Sequence, residues 1–158
     1  TGDAETDTIA RFVLYTTSIQ ILIDYFPFGC GFGTFATYAT GLSYSHIHHQ
    51  YGIANVWGIS KSFYSFIADT YYPSLAQFGF VGIMLYITFW IYVFKKALIF
   101  FQHTKQAKLM IIVLLLICFF GIEGTSDSTI TTHRGLFMMM MIGLMLSEMK
   151  NKIANSKS

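Results

Sequence analysis

The sequence predicts an all-α integral membrane protein in which a large non-cytoplasmic loop precedes three membrane-spanning helices. The first reason is composition: of 158 residues, 54% are hydrophobic and only 11% are charged, whereas soluble domains have about a quarter charged residues. The second reason is that the C-terminal half contains three long apolar runs. The third is that the sign of the charge alternates between the segments that separate these runs.

The apolar runs define the predicted spans. The first, 79–101, is long enough to cross the hydrocarbon core, which takes about 20 helical residues. The second is 109–123. The third is 131–148, which places Arg134 near the outer interface, where its side chain can extend toward water. The remaining segments are an outer loop 1–78, a cytoplasmic loop 102–108, a second outer loop 124–130 and a cytoplasmic tail 149–158.

Charge sets the predicted orientation of the spans. Four lysines and no acidic residue lie at the inner end of the first span and in the connection after it, namely Lys95, Lys96, Lys105 and Lys108. The C-terminal tail is also basic. The first outer loop has two basic residues against five acidic ones, a net charge of −3, and the second outer connection has a net charge of −1. Because positive segments face the cytoplasm, both acidic segments are expected on the outer side.

The long outer loop is predicted to contain two helices. From Thr8 to Tyr25 the apolar residues recur at helical spacing, and Pro27 ends this first helix. A glycine-rich turn and an aromatic, histidine-rich region follow. A second helix is predicted through Phe63–Phe78, with Pro73 near its beginning or at a kink. The apolar stripe predicted for the first of these helices consists of Ile9, Phe12, Val13, Ile19, Ile23 and Phe26.

Other sequence features narrow the functional class. The net charge of +2 gives no bulk basic signal for nucleic acid. The acidic, polar start has neither a basic region nor an apolar core and is not a signal peptide, so we expect further spans upstream. Cys30 lies in the loop and Cys118 in an apolar run, and this difference in depth makes a disulfide improbable.

Three glycines at alternate positions, Gly29, Gly31 and Gly33, mark the first candidate site. Glycine permits backbone conformations that other residues avoid. The spacing is not that of a dinucleotide fingerprint, and no strand is predicted before it. Two interpretations stay open: a tight reversal that shapes the loop along the membrane, and a direct role in holding substrate phosphate.

Arg11 lies on the predicted first helix. An arginine just outside a bilayer suits a lipid pyrophosphate, because its fork of donors matches phosphate oxygens. The alternative is an interfacial arginine paired with headgroups or with Asp7.

Arg134 belongs to the second outer connection with Glu123 and Asp127. Ionisable groups at the ends of spans are either functional or simple interfacial anchors.

Histidines and an aspartate complete the candidates. His46, His48 and His49 lie in one short segment, and in an extended chain His46 and His48 would share a face. They are candidates for acid–base work or plain loop histidines, and no metal is expected because no further ligand has matching spacing. Asp69 is either a general base for a sugar hydroxyl or a helix N-cap, since Pro73 follows in the first turn.

The order of these features resembles a known family. An arginine-bearing helix leads into D-x-x-P-F-G-x-G-x-G-T-F (Asp24 to Phe35), Tyr51-Gly52 follows, and then D-T-Y-Y-x-x-L-x-Q-F-G-F-V-G (Asp69 to Gly82) precedes a span. The chain resembles, over residues 9–147, the C-terminal part of the O-antigen ligase/polymerase superfamily, especially the Wzy-type polymerases of surface polysaccharide. The resemblance implies a C-terminal fragment of a multi-pass helical bundle of the GT-C type.

The resemblance also implies an activity and its residues. Members are metal-independent inverting glycosyltransferases that use no cofactor and no nucleotide sugar. They transfer glycan from a polyprenyl pyrophosphate to an acceptor hydroxyl at the outer side of the bacterial cytoplasmic (inner) membrane. Arg11 matches the loop arginine that binds pyrophosphate, and Asp69-Thr70 stands where ligases have a His-Asn pair. This departure favours a repeat-unit polymerase of O-antigen, capsule or exopolysaccharide.

The implied mechanism assigns proton transfer to Asp69 or to one of the three histidines. It assigns stabilisation of the leaving pyrophosphate to Arg11, with Arg134 as a second candidate.

The expected partners are the polyprenyl-pyrophosphate-linked oligosaccharide, membrane lipid, a chain-length regulator and a flippase, and no nucleic acid is expected. Two other functions stay open. One is an O-antigen ligase that transfers glycan to lipid A core, and the other is a non-catalytic polysaccharide transporter fragment.

Overall fold

The computed structural model describes residues 4–64, 68–105 and 107–155, with side chains from residue 9 to residue 154. The chain is mostly helical. The described elements are α1 (Ala4–Asp24), α2 (Tyr38–Leu42), α3 (His46–Gln50), β1 (Ile59–Ser60), β2 (Phe63–Tyr64), α4 (Tyr71–Ser74), a 3₁₀ turn (Leu75–Phe78), α5 (Gly79–Thr104), α6 (Ala107–Glu123), a second 3₁₀ turn (Thr129–Thr131) and α7 (His133–Asn155).

The described residues form two compact units. The first contains the residues up to Met84 together with Glu123–Ser128. The second contains Leu85–Ile122 and the residues from Thr129 onward. The first unit therefore holds the predicted outer loop, the beginning of α5 and most of the second outer connection.

Helix α1 is confirmed, but its predicted apolar stripe does not face the core. The buried face consists of Ala10, Leu14 and Ile21, which are spaced at helical intervals. This face belongs to a core that also contains Phe35, Ile47, Ile53, Ile59 and Ala76, and α1 contacts α4 and the first 3₁₀ turn. Most of the predicted stripe is exposed instead, namely Ile9, Phe12, Ile19, Ile23 and Phe26.

The predicted helix over Phe63–Phe78 is wrong in its first part. Phe63 and Tyr64 form a strand that pairs antiparallel with Ile59–Ser60, and residues 65–67 lie outside the described part of the chain. The α-helix begins at Tyr71. The aromatic and β-branched residues at 59–64 favour a pleated pair, and this local preference prevails over the helical spacing.

The second unit consists of helices. Its buried apolar residues come from α5, α6 and α7, and the rings of Trp90 on α5 and Phe120 on α6 lie 5.5 Å apart between centroids. Gly135 at the beginning of α7 lies against the 3₁₀ turn so closely that a Cβ there would overlap the main chain of Thr129 and Ile130. On the solvent side of α7, Lys152 pairs with Glu148 at 2.7 Å.

Within the described residues, one helical stretch, Tyr71–Thr104, is long and apolar enough to cross a membrane. It contains the first predicted span, 79–101. Helices α6 and α7 occupy the other two predicted spans, and α6 has 17 residues. That these two helices also cross a membrane stays a prediction.

Candidate functional site

The glycine segment lies against the 3₁₀ turn that precedes α5. Gly29, Gly31 and Gly33 have φ angles of +80°, +99° and +74°, a region that favours glycine because it has no Cβ. The Gly31 amide donates to the main-chain oxygen of Gln77 at 3.1 Å. The amides of Gly33 and Thr34 both donate to the side-chain Oε1 of Gln77.

Gly29 and Gly79 allow the two segments to touch through their main chains. A Cβ on Gly29 would overlap the amide nitrogen of Gly79, and a Cβ on Gly79 would overlap Gly29 and the Pro27 carbonyl. The Gly29 amide itself donates to Tyr25 O at 2.8 Å. The amides of the three glycines are therefore bonded within the protein, which favours the loop-shaping interpretation over direct phosphate binding.

Asp69 is half-buried in the same unit. Its carboxylate accepts hydrogen bonds from the Ser128 side chain and the Tyr38 main chain, and the negative charge of Asp127 lies nearby. Burial is the main cause that raises the pKa of Asp69, and Asp127 raises it further, whereas the two hydrogen bonds act in the opposite direction. Such a carboxyl group is suited to accept a proton from a hydroxyl group.

The second outer connection supplies part of the surroundings of Asp69. Asp127 was a candidate from sequence, whereas Ser128 was not, although it is buried and its amide donates to Asp127 Oδ1 at 2.8 Å. No local pattern indicates Ser128, because its partner Asp69 is distant in the chain. Only the folded chain brings the Ser128 hydroxyl to the Asp69 carboxylate.

Arg11 is half-buried on α1. Its Nε atom is buried and finds no hydrogen-bond partner in the described part of the chain. Its charge acts on Tyr15, one helical turn away. Burial chiefly raises the pKa of Tyr15 and Arg11 opposes this rise. A half-buried arginine has a charge and a fork of donors suited to an anionic group.

The segment Glu123–Ser128 connects the surroundings of Arg11 with those of Asp69. The Tyr15 hydroxyl donates to the Thr125 carbonyl at 2.9 Å. The Tyr72 amide donates to the Gly124 carbonyl at 3.2 Å. The same short segment therefore contacts α1 beside Arg11 and, through Ser128, the carboxylate of Asp69.

The three histidines are not brought together at one site. They form the short helix α3, which begins after Ser45, whose Oγ accepts the Ile47 amide at 3.3 Å. Residues two apart on a helix are separated by about 200° of rotation, so His46 and His48 point to different sides of α3 and do not have the common face of an extended chain. His46 and His49 are exposed, whereas His48 is buried.

His48 is part of the core. Its ring lies 4.8 Å from the Tyr44 ring, 6.0 Å from that of Tyr64 and 6.3 Å from that of Phe35. Neither ring nitrogen has a hydrogen-bond partner among the described residues. Burial, assisted by the neighbouring His49, lowers the pKa of His48 to about 4. A completely buried, neutral imidazole cannot reach an acceptor hydroxyl, so His48 is the weakest of the predicted catalytic residues.

Tyr64, which no sequence pattern singles out, neighbours two of the candidate residues, His48 and Asp69. Its ring neighbours His48, its hydroxyl donates to the Thr37 carbonyl at 3.1 Å, and the charge of Asp69 acts on it. Burial is the main cause that raises the pKa of Tyr64. The phenol therefore stays protonated.

An open cleft of about 680 Å³ lies beside the glycine segment. Its volume falls in the range of small-molecule sites, about 300 to 1,000 Å³. Its walls carry hydroxyl groups and one exposed histidine, and the lining residues are Phe32, Gly33, Thr34, Ala39, Ser43, Tyr44, Ser45 and His46. His49 lies in a neighbouring cleft with Lys61.

Arg134 belongs to the second unit, at the beginning of α7, where its side chain is exposed. Its predicted role beside Arg11 stays a prediction. In the described residues, no three His, Cys, Asp or Glu side chains converge in a way that could hold a metal ion.

Comparison with protein-family models, with curated proteins and with solved structures found no match for this chain.

Proposed function

We propose that the chain is part of an oligosaccharide repeat-unit polymerase, a metal-independent inverting glycosyltransferase that acts on a polyprenyl-pyrophosphate donor. The site would lie in the first unit, at the outer face of a bacterial inner membrane. The multi-pass topology and the GT-C-type bundle are parts of this proposal. The sequence motifs from Asp24 to Phe35 and from Asp69 to Gly82 support it.

One observation carries the proposal: the segment Glu123–Ser128 contacts both the helix of Arg11 and the carboxylate of Asp69. The helix that carries Arg11 and a carboxylate with a raised pKa therefore both contact one connection inside one compact unit. Glycosyl transfer from a pyrophosphate needs these two functions, a donor for the leaving group and an acceptor for the proton.

The chemistry follows from these roles. The acceptor hydroxyl attacks the anomeric carbon of the donor sugar, and its proton passes to the carboxylate of Asp69. The bond between the anomeric carbon and the pyrophosphate oxygen breaks with inversion. Arg11 donates hydrogen bonds to the departing pyrophosphate, whose negative charge grows as the bond breaks. His46 and His49 are exposed and remain secondary candidates for the proton transfer.

The motifs of the glycine segment and of the 3₁₀ turn then have a structural explanation within this proposal. Their close contact through Gly29 and Gly79 holds one wall of the polar cleft and the start of α5 together. A cleft of hydroxyl groups is suited to the hydroxyl-rich surface of a glycan.

The experiment replaces Arg11 and Asp69 one at a time in cells that produce the polysaccharide. Asp69→Asn keeps the shape of the side chain and removes the base, and loss of a general base lowers rates about 10²- to 10⁴-fold. We expect single repeat units instead of long polymer on a gel, with normal amounts of protein in the membrane.

Two matched controls lie in the same unit. Asp24→Asn alters an acidic side chain that is bound by the Tyr51 hydroxyl at 2.6 Å, and Lys61→Ala removes an exposed cation. Both should leave long polymer. Normal polymer in the Arg11 and Asp69 variants would refute the site, and accumulation of lipid-linked polymer would instead indicate a ligase.

A further inference from the structure

The outer surface of α1 is apolar where a helix that faces water would be polar. Phe12, Thr16, Ile19 and Ile23 follow the spacing i, i+4, i+7 and i+11, which places them on one face of the helix. The side chains of Phe12, Ile19 and Ile23 are 68%, 60% and 70% exposed. The opposite face, with Ala10, Leu14 and Ile21, already fills the core, so this second face has no role inside the unit.

No polar group on this face requires water. The Thr16 hydroxyl donates to the Phe12 and Val13 carbonyls at 3.1 and 3.0 Å, so its hydrogen-bonding capacity is used within the helix. Among the described side chains of α1, the charged ones are Arg11 and Asp24, and both project about 110° away from the centre of the face. Contact between the centre of this face and hydrocarbon would therefore place neither charge in the hydrocarbon and would leave the Thr16 hydroxyl bonded.

The face continues onto the beginning of α5. An apolar groove of about 360 Å³ is lined by Ile19, Leu22, Ile23, Phe26, Phe80 and Ile83. The Phe26 and Phe80 rings lie 5.9 Å apart between centroids. Phe80 and Ile83 belong to the first turns of the helix that is long and apolar enough to cross a membrane, so the groove joins α1 to that helix without a polar boundary.

We propose that this face, defined by Phe12, Ile19, Ile23, Phe26 and Phe80, lies in the acyl-chain region of the bilayer, with lipid chains in the groove. The helix α1 would then lie in the interface, as amphipathic helices do when one side is apolar. The occupant is membrane lipid because the face continues onto a helix whose apolar surface is itself mostly exposed. This inference concerns lipid contact and does not depend on the proposed glycosyl transfer.

The test measures which quencher reaches a fluorophore on this face. Cys30 and Cys118 are first replaced by serine. A single cysteine is then introduced by Ile23→Cys or Phe12→Cys and labelled with a fluorophore that responds to polarity. The whole chain is reconstituted in phosphatidylcholine vesicles that contain either a nitroxide on the lipid acyl chains or iodide in the water. Lys61→Cys, at an exposed lysine between β1 and β2, is the matched control.

We expect the labels at positions 12 and 23 to have blue-shifted emission, to be quenched by the lipid nitroxide and to be protected from iodide. The label at position 61 should behave in the opposite way. Iodide quenching at position 23 equal to that at position 61 would overturn the proposal, because the face would then be in water. Protection from both quenchers would also overturn it, because protein would cover the face. Neither result would bear on the proposed glycosyl transfer, which the polymer produced by the Arg11 and Asp69 variants tests independently.

Discussion

The Oε1 atom of Gln77 accepts a hydrogen bond from the Thr34 amide at 3.2 Å and a second one from the amide of Gly33. The Nε2 atom of the same side chain donates to the Ser74 carbonyl at 2.8 Å. Gln77 is buried. One side chain therefore satisfies two amides of the glycine segment and ties them to the turn before α5.

Replacing Gln77 by leucine should destabilise the first unit. The two amides would lose their acceptor in a buried position, and an unsatisfied buried group costs about 1 to 3 kcal/mol. The measurement is the free energy of unfolding in detergent, from denaturant titration followed by tryptophan fluorescence. Gln20→Leu is the control, because Gln20 is exposed on α1 and its loss should change stability by less than about 0.5 kcal/mol. Equal effects of the two variants would contradict the assigned role.

Gly29→Ala should be more damaging than Gly52→Ala. Both glycines have positive φ, +80° and +69°, so alanine meets a backbone cost of roughly 1 to 2 kcal/mol at either position. A Cβ at Gly29 would in addition lie 2.5 Å from the main-chain oxygens of Ala76 and Gln77, whereas at Gly52 it meets nothing within 4 Å. We expect an extra loss of about 1 to 3 kcal/mol for Gly29→Ala, as in overpacked cores.

The difference in stability between the two variants separates the cost of the overlap at Gly29 from the cost of a positive φ, which both positions share. Thermal unfolding of the two variants in the same detergent measures it, with wild-type protein as reference. If Gly29→Ala and Gly52→Ala lowered the stability equally, positive φ would be the whole explanation, and the contact between the glycine segment and Gly79 would have no energetic role.

His48 should make stability depend on pH. Its pKa is lowered from 6.5 to about 4 by burial, so the unfolded chain binds the proton more tightly than the folded one. The contribution is complete above pH 6.5 and is lost as the pH falls toward 4, and it amounts to roughly 3 kcal/mol over that interval. Unfolding free energies measured at several pH values should show this loss.

The His48→Phe variant tests the assignment. Phenylalanine fits the aromatic surroundings and has no proton to bind, so the loss between pH 6.5 and 4 should shrink by about the same 3 kcal/mol. Carboxyl groups, including Asp69, titrate in both proteins and cancel in the difference. A His48→Phe profile parallel to that of the wild type would exclude His48 as its source.

The neighbours of Asp69 should move the pH profile of polymerisation in opposite directions. If Asp69 is the base, activity falls on the acid side as its carboxylate becomes protonated. Burial is the main cause of its raised pKa and Asp127 adds to it, whereas the hydrogen bond from Ser128 lowers it. Asp127→Asn should therefore shift the acid limb to lower pH, and Ser128→Ala should shift it to higher pH.

Initial rates with a lipid-linked repeat unit, measured across pH in membranes, provide this profile. Ser126→Ala is the control from the same segment, because the Ser126 hydroxyl bonds within the segment to the Glu123 carbonyl, and its profile should match that of the wild type. Shifts of Asp127→Asn and Ser128→Ala in the same direction would contradict the role of Asp69 as base.

The sequence by itself determined the long helices. Apolar length and helical spacing are local properties, and Pro27 and the glycines after it mark the end of α1 within a few residues. The same local properties did not indicate the strand pair at 59–64 or the short helix α3. Short elements of two to five residues have too few positions for periodicity to separate helix from strand.

Only the tertiary structure decided which groups meet. The contact between Gly33 and Gln77 spans 44 residues, and Asp69 meets Ser128 from an even more distant segment. It also decided which apolar face of α1 is buried, since Leu14 and Ile21 fill the core while Phe12 and Ile23 stay exposed. These outcomes depend on packing between segments far apart in the chain, and no local pattern of residues encodes which distant surface will cover which face.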